Sequence, residues 1–451
     1  MASLLVLYVF AHRLPVQENG AYQGFWAQLN VFNAIAGMGI SIFVYTYTPA
    51  KLESLFRTFT SRHFLGYSLF LLICGVVFAY LQIRNGLSLP VSILLLILFT
   101  FCNITDALLA VFRRASALIW INFLYALGFF LAHLWKLHTV ASLDDLATLL
   151  LPLLMAKLVL SIRFIVKGVV VDTPEKQPQE AEIKSMRRLW MHLYFYDIIQ
   201  ISFLWLDKFI VSLLLSKEAA AIYINGSLNI PFLPLAFAAV SSAALMQLST
   251  TKSPRQQTRV VQGVGRLLAT MAFPLFFFFL FFKEDFILSF FSEKYEVAIP
   301  IFLCSIMILP LRAYNHTIIL QSREQGAVIN RGALLDLVLA LSFMYPLYLF
   351  MGLPGVALSF VLSTVVQVIY YFQHSRKIVE AKVADLLPLK NWTIKLLGFG
   401  LLAFLLHLIL PDNGQRLFRL FMAALVMGGI SGAILLQELR MVKKKQVAKA
   451  V

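Results

Sequence analysis

The chain is built from stretches of about twenty apolar residues separated by short polar segments, and a helix of that length is what it takes to cross a bilayer. Full-length stretches fall at 25–47, 64–83, 88–112, 117–136, 145–166, 189–215, 219–248, 262–282, 297–320, 332–351, 354–373, 392–410 and 417–437. A shorter one precedes His12. None has the alternating ten-residue pattern of an outer-membrane barrel. Helices are the other structure that satisfies every backbone group in hydrocarbon. Only 13% of the residues are charged and mean hydropathy is +0.82. A soluble domain carries about 25% charged residues, so lipid must cover this surface. The expected fold is therefore an all-α polytopic membrane protein of about fourteen transmembrane helices.

The net charge of +16 would suggest nucleic acid in a soluble protein. Here the position of each basic residue decides. If the segment after 25–47 is cytoplasmic, 27 of the 38 Lys and Arg fall in cytoplasmic loops and tail, 8 fall outside, and Lys157, Lys208 and Arg312 lie within helices. Positive charge gathers on the cytoplasmic side of membrane proteins. The bias thus gives fourteen crossings with both termini cytoplasmic, and it accounts for the charge without nucleic acid. Cys74, Cys102 and Cys304 lie in apolar runs and read as packing residues. No metal-ligand cluster, cofactor motif or Gly-rich nucleotide loop is read in the sequence, so neither cofactor nor nucleotide is expected.

The longest polar stretch, around 169–188, reads as a linker. It sets the expected domains: a six-helix bundle at 1–170 with a stunted first helix, a linker at 171–187, a second six-helix bundle at 188–376, and two further helices with a basic tail at 377–451. The bundles repeat. LPVQENGAY at 14–22 is echoed by LSKEAAAIY at 215–223, and NITDALLAVFRRA at 103–115 by NHTIILQSREQGA at 315–327. An even helix number per repeat keeps both copies in the same membrane sense, a common transporter plan.

LPVQENGAYQGFWAQLNVFNAIAGMGIS, LDKFIVSLLLSKEAAAIYINGSLNIPF and MGLPGVALSFVLSTVVQVIYY resemble the polysaccharide (O-antigen type) flippases. These belong to the multidrug, oligosaccharidyl-lipid and polysaccharide exporter superfamily. The resemblance covers essentially the whole chain. It rests on the short turn before a Tyr, the Asp207–Lys208 pair, and the Gly352-x-x-Gly355 turn. The stunted first helix departs from the pattern. The resemblance implies two six-helix bundles around a central cavity in a bacterial inner membrane. It further implies a glycan on polyprenyl pyrophosphate, moved from the cytoplasmic to the outer leaflet; alternating access is the expected mode, and the drive is open between a coupling ion, Na⁺ or H⁺, and glycan assembly.

Each ionisable side chain inside the membrane costs about 2.5–3.5 kcal/mol on insertion scales and so needs a reason. Arg312 lies mid-segment after Pro310 and before Asn315 and His316. It reads either as a cavity cation for phosphate or sugar, with Asn315 beside it, or as one half of a structural pair with an Asp. Arg suits phosphate because its planar fork donates two parallel bonds. Lys208 and Asp197 are eleven residues apart, close to three whole turns, and so share a helix face. Asp207 points off that face, towards a neighbouring helix. Lys157 reads as a substrate contact or as a snorkelling side chain. Asp106 reads as a counter-charge or a coupling-ion ligand, and Asp336 as an interfacial residue. Arg13 closes the first helix at the outer face, as an exit-side phosphate contact or a plain cap.

Two other classes compete. A polytopic glycan polymerase or glycosyltransferase would need acid–base groups in an outer loop. The longest outer loop, 283–297, holds Glu284, Asp285, Glu293 and Glu296, which read as solvated interface. A drug/ion antiporter of the same superfamily would share the fold. The central Arg312 and the motif match favour the lipid-linked glycan and a non-enzymatic transporter. Reporter fusions after Lys217 and after Lys449 test the topology: they should report opposite sides of the membrane, and the same side for both would refute fourteen crossings.

Overall fold

The computed structural model describes residues 2–139, 142–166, 180–228, 233–249, 253–323, 325–411 and 415–450. Among these, every regular element is a helix. Two compact units divide at Ala221/Ile222. The first contains α1 (Ala2–Arg13), α2 (Val16–Ala36), α3 (Ile40–Phe43), α4 (Pro49–Arg57), α5 (Ser61–Gln82), α6 (Leu89–Val111), α7 (Ala115–Thr139), α8 (Leu143–Val166) and α9 (Glu180–Leu214). α10 (Lys217–Gly226) carries the chain across the division. The second unit continues through α11 (Leu233–Ser249), α12 (Pro254–Phe281), α13 (Lys283–Phe291), α14 (Ile299–Ile306), α15 (Ile318–Ser322), α16 (Gly326–Met351), α17 (Leu353–Val379), α18 (Val383–Leu386), α19 (Leu389–Ile409) and α20 (Arg416–Ala450).

Each of the fourteen apolar stretches falls largely on helix among the described residues, but they differ in kind. Among those residues, ten spans are long and apolar enough to cross a membrane, and the bent pair α2–α3 makes an eleventh. The other three depart for separate reasons. α1 has 12 residues, about 18 Å of helix against a hydrocarbon core of about 30 Å. α9 carries Asp197, Asp207 and Lys208 within its apolar part. The stretch at 219–248 is divided between α10 and α11. Of the expected linker, residues up to 179 lie outside the described residues. From Glu180 onward the chain is already helix, because Met186 packs with Leu52, Leu55 and Phe43 in a closed apolar cluster.

The echo between 14–22 and 215–223 is a structural one. α1 and α9 each end one residue before a leucine, Leu14 and Leu215. The next helix starts two residues after that leucine, at Val16 and Lys217. The two turns also touch. A Cβ on Gly20 would lie 1.7 Å from the Lys217 carbonyl oxygen and 3.2 Å from the Ala221 Cβ. Gly20 and Ala221 occupy corresponding places in the two motifs, so each turn packs against its own counterpart, and only glycine fits the contact. At the basic end of the second echo the two turns are alike but one position out of the register of the sequence match. Arg114 N donates to Leu109 O and Gln325 N to Leu320 O, each five residues back, and the next helix follows at once.

α2 breaks at Gly37–Gly39 and turns by 61° into the segment Ile40–Thr46. Met38 and Gly39 both have positive φ. Backbone groups freed by such a break need partners in hydrocarbon, and α9 supplies them. Trp190 Nε1 donates to Met38 O at 2.7 Å and Tyr194 Oη to Ile35 O at 3.3 Å. A polar chain runs alongside: Gln82 donates to Gln28 at 2.5 Å, and Gln28 donates to Ser212 at 3.1 Å.

The turn contact generates a stability prediction. Gly20→Ala forces a Cβ onto a backbone carbonyl that cannot move alone, at a cost of about 3 kcal/mol or more. Thermal unfolding in detergent should show a large fall in Tm for Gly20→Ala. Gly66→Ala, whose added Cβ would meet nothing within 4 Å, should leave it unchanged.

Candidate functional site

The intramembrane charges fall into separate groups, and each unit is taken by itself. In the first unit Lys157 of α8 does not snorkel. Its side chain is 7% exposed, and its Nζ lies 2.7 Å from Asp106 Oδ2 on α6 and 2.9 Å from Asn122 Oδ1 on α7. Asn122 Nδ2 closes the ring to Asp106 Oδ1 at 3.3 Å. The Tyr125 ring stands 4.9 Å from the ammonium. Three helices thus converge on one compensated cation. A low-dielectric surround strengthens such a pair and makes loss of either partner expensive. Asp106 remains partly accessible, at 24% of its side chain. Asn122 was not foreseen; its signal was an amide alone in the apolar run IWINFLYALGFF.

Asp207 and Lys208 are both buried and pair with each other, Nζ to Oδ2 at 3.1 Å. Asp197 is half-buried on the same helix, eleven residues earlier, about 16 Å along the axis at 1.5 Å per residue. The helix therefore does not bring it to Lys208. Among the described residues Asp197 has no hydrogen-bond or ion-pair partner. Arg13 ends α1, is exposed, and lines a cavity of ≈540 Å³ with Glu18, Lys136 and His138.

In the second unit Arg312 was expected within a continuous helix, and the structure corrects this. α14 stops at Ile306, a turn follows, and Arg312 sits in a tight 3₁₀ segment, Pro310–Ala313, before the chain reopens into α15. Pro310 has no N–H and clashes with the carbonyl four residues back, which ends the α-helix. The Arg312 side chain is exposed. Asp336 of α16 interacts with it electrostatically, but among the described residues no ion pair to Arg312 forms. Asp336, expected at the interface, is packed inside its unit at 2% exposure, and its Oδ1 has no hydrogen-bond partner among the described residues. Asn315 is engaged locally, its Oδ1 accepting from Thr317 N at 3.1 Å and Thr317 Oγ1 at 3.0 Å. His316 Nε2 and the Leu311 carbonyl are 2.7 Å apart, so the ring serves a carbonyl that the break releases.

Two buried pairs were missed because their basic members looked like loop residues. Lys395 of α19 is 2.7 Å from Glu438 of α20 and also bonds Thr270 of α12. Arg419 of α20 is 3.3 Å from Asp285 of α13, and its guanidinium lies over Phe282 at 5.6 Å. α20 is pinned by an ion pair near each end of its apolar part. The reading of 283–297 as solvated interface holds for Glu284, Glu293 and Glu296, which are exposed on a mostly helical segment, and is corrected at Asp285, which is buried with Arg419. The four carboxylates do not gather into an acid–base pair.

No family model matches the sequence, and no curated protein matches it either. Among solved structures the chain is similar to the lipid II flippase MurJ in its inward closed conformation, with a TM-score of 0.67, 13% identity, and 97% of each chain covered. The chain therefore shares the fold of that structure, an all-helical polytopic membrane fold.

The Lys157 network gives a direct test. Lys157→Ala or Asp106→Ala alone strands a charge in the membrane and should cost about 3–5 kcal/mol. The double variant Lys157→Met/Asp106→Leu should recover most of that loss. Thermal unfolding of the four proteins measures the coupling, and additive losses would mean the two side chains do not act as a pair.

Proposed function

We propose that this protein moves a lipid-linked oligosaccharide, a glycan joined through pyrophosphate to a polyprenol, from the cytoplasmic to the outer leaflet by alternating access, as a step in polysaccharide or O-antigen export across a bacterial inner membrane. The observation that carries the reading is Arg312, exposed in a 3₁₀ turn at the end of the candidate span Glu293–Ala313. Irregular backbone at membrane depth is tolerated where it is buried in protein or lines a water-filled cavity. A guanidinium turned to hydrocarbon is costly. An exposed Arg in such a turn, if it lines a cavity, would hold its donor fork open to an anion.

The pyrophosphate of the substrate is the anion with the right shape. Arg312 would take it bidentately, with the free Asn315 amide beside it. Lys208 and Lys157 are held by carboxylates and would offer successive partners as the head group displaces Asp207 and Asp106. Graded, exchangeable contacts let an ion move on where one strong site would hold it. Arg13 would meet the phosphate on exit. Asp197, with no hydrogen-bond or ion-pair partner among the described residues, would be a carboxylate able to answer a coupling ion, Na⁺ or H⁺. Likeness in fold to the lipid II flippase supports a lipid-linked substrate, and the sequence resemblance to the O-antigen flippases supports a polysaccharide precursor. No covalent chemistry is required of the chain.

The test is glycan at the cell surface. Arg312→Ala should abolish it while protein remains in the membrane at its normal level. Arg312→Lys should restore part of it, since the charge is kept and the fork is lost. Normal export by Arg312→Ala, or loss of the folded protein, would remove Arg312 from the substrate path.

A further inference from the structure

Three basic side chains converge on one hollow where α1 and α7 end, and the transport reading draws on only one of them. α1 packs along α7 through Phe10, Phe129 and Ala132, so the two helices finish side by side. Arg13 is the last residue of α1; Lys136 and His138 stand in the last turn of α7. Glu18, in the first turn of α2, closes the group. Between them lies the cavity of ≈540 Å³, walled in part by Val9 and Leu137. Ligand pockets run from about 300 to 1,000 Å³, so this one can hold a molecule.

A cation in the last turn of a helix offsets its dipole by about 0.3–1 kcal/mol. That explains one basic residue at each helix end. It does not explain three directed at a shared cavity. The charges are also unequally met. Lys136 is buried, at 5% exposure, with Glu18 3.7 Å away. Arg13 and His138 are exposed and, among the described residues, have no hydrogen-bond or ion-pair partner. The cavity thus presents an open guanidinium fork and an imidazole next to an apolar wall. This combination suits an anion with several oxygens and an apolar tail, and suits neither a free inorganic ion nor a cation.

We propose that this cavity binds the phosphate of a phosphate-bearing amphiphile. Arg13 takes two oxygens through its fork, His138 donates to a third, and Lys136 supplies charge from beneath. The first carbons of the tail lie along Val9 and Leu137. The charge bias along the chain puts this end of α1 and α7 at the outer leaflet. Two amphiphiles there carry the required group: a phospholipid, through its head group, and the transported lipid, through its pyrophosphate, on release. The first is independent of the transport reading, and only the second rests on it.

Native mass spectrometry of the purified full-length protein tests this with two probes, farnesyl diphosphate and phosphatidylglycerol. The wild type should retain one molecule of a phosphate amphiphile. Arg13→Gln/His138→Gln should weaken retention about tenfold or more, and Arg13→Lys should fall between. Glu18→Gln should strengthen retention, because it removes a carboxylate that lines the cavity, an effect a purely dipole-offsetting or packing role would not give. Farnesyl diphosphate that phosphatidylglycerol cannot displace identifies the transported lipid as the occupant; equal competition identifies a phospholipid. If vesicle transport fails while Arg13-dependent retention of phosphatidylglycerol persists, the site stands without the flippase reading. Equal retention by wild type and the double variant, or no effect of Glu18→Gln, overturns the proposal.

Discussion

The cost of a charge in hydrocarbon governs this molecule more than any apolar contact does. Lipid is as apolar as leucine, so burying leucine between helices gains little there, whereas each ammonium or carboxylate must be paired or wetted. The structure resolves most of its charges by pairing. Lys157 closes with Asp106 and Asn122, Lys208 with Asp207, Lys395 with Glu438, and Arg419 with Asp285. Several of these pairs join different helices, and they do what a hydrophobic core does in water: they fix which helix lies against which. Arg312 stands apart. Exposed, with Asp336 near but among the described residues not in ion-pair contact, it is, like Asp197, a charge that pairing does not take up.

Breaks in the helices follow the same accounting of polar groups. The interruption after Ala36 would leave carbonyls bare, and Trp190 and Tyr194 of α9 cover them. The interruption after Ile306 is answered by His316 at Leu311 and by the turn that Asn315 builds. Breaks so compensated can persist at membrane depth, and they give the backbone places to bend without losing hydrogen bonds. Under the transport proposal, such places can take up the motion between openings.

Much of this was legible in the sequence. Helix positions followed from hydropathy, since lipid imposes one length on every span. The turn at 14–22 and its echo at 215–223 were visible because a leucine, a helix start and a small residue must recur wherever two equivalent turns pack together; Gly20 against Ala221 is the contact that enforces it. The charge partners were less legible. Asp106 and Lys157 could be named but not matched, because pairing across fifty residues depends on helix rotation, which hydropathy does not encode. Lys395, Arg419 and Asp285 were counted as loop residues because they lie near segment ends, where a charge buried by a neighbouring helix and a charge in water look alike. Pro310 announced a kink; that it ends the α-helix and places Arg312 in a 3₁₀ turn is a matter of tertiary context.

The central claim is that these intramembrane cations serve a lipid carrying pyrophosphate. The most direct measurement uses the purified protein in vesicles with a fluorescent, pyrophosphate-linked glycolipid in both leaflets, and reads the fraction that a membrane-impermeant quencher reaches. The account predicts that the protein renders the inner-leaflet pool accessible, and that a neutral lipid-linked sugar lacking the pyrophosphate stays protected. Accessibility that does not depend on the pyrophosphate, or uptake of an organic cation in place of the glycolipid, would contradict it.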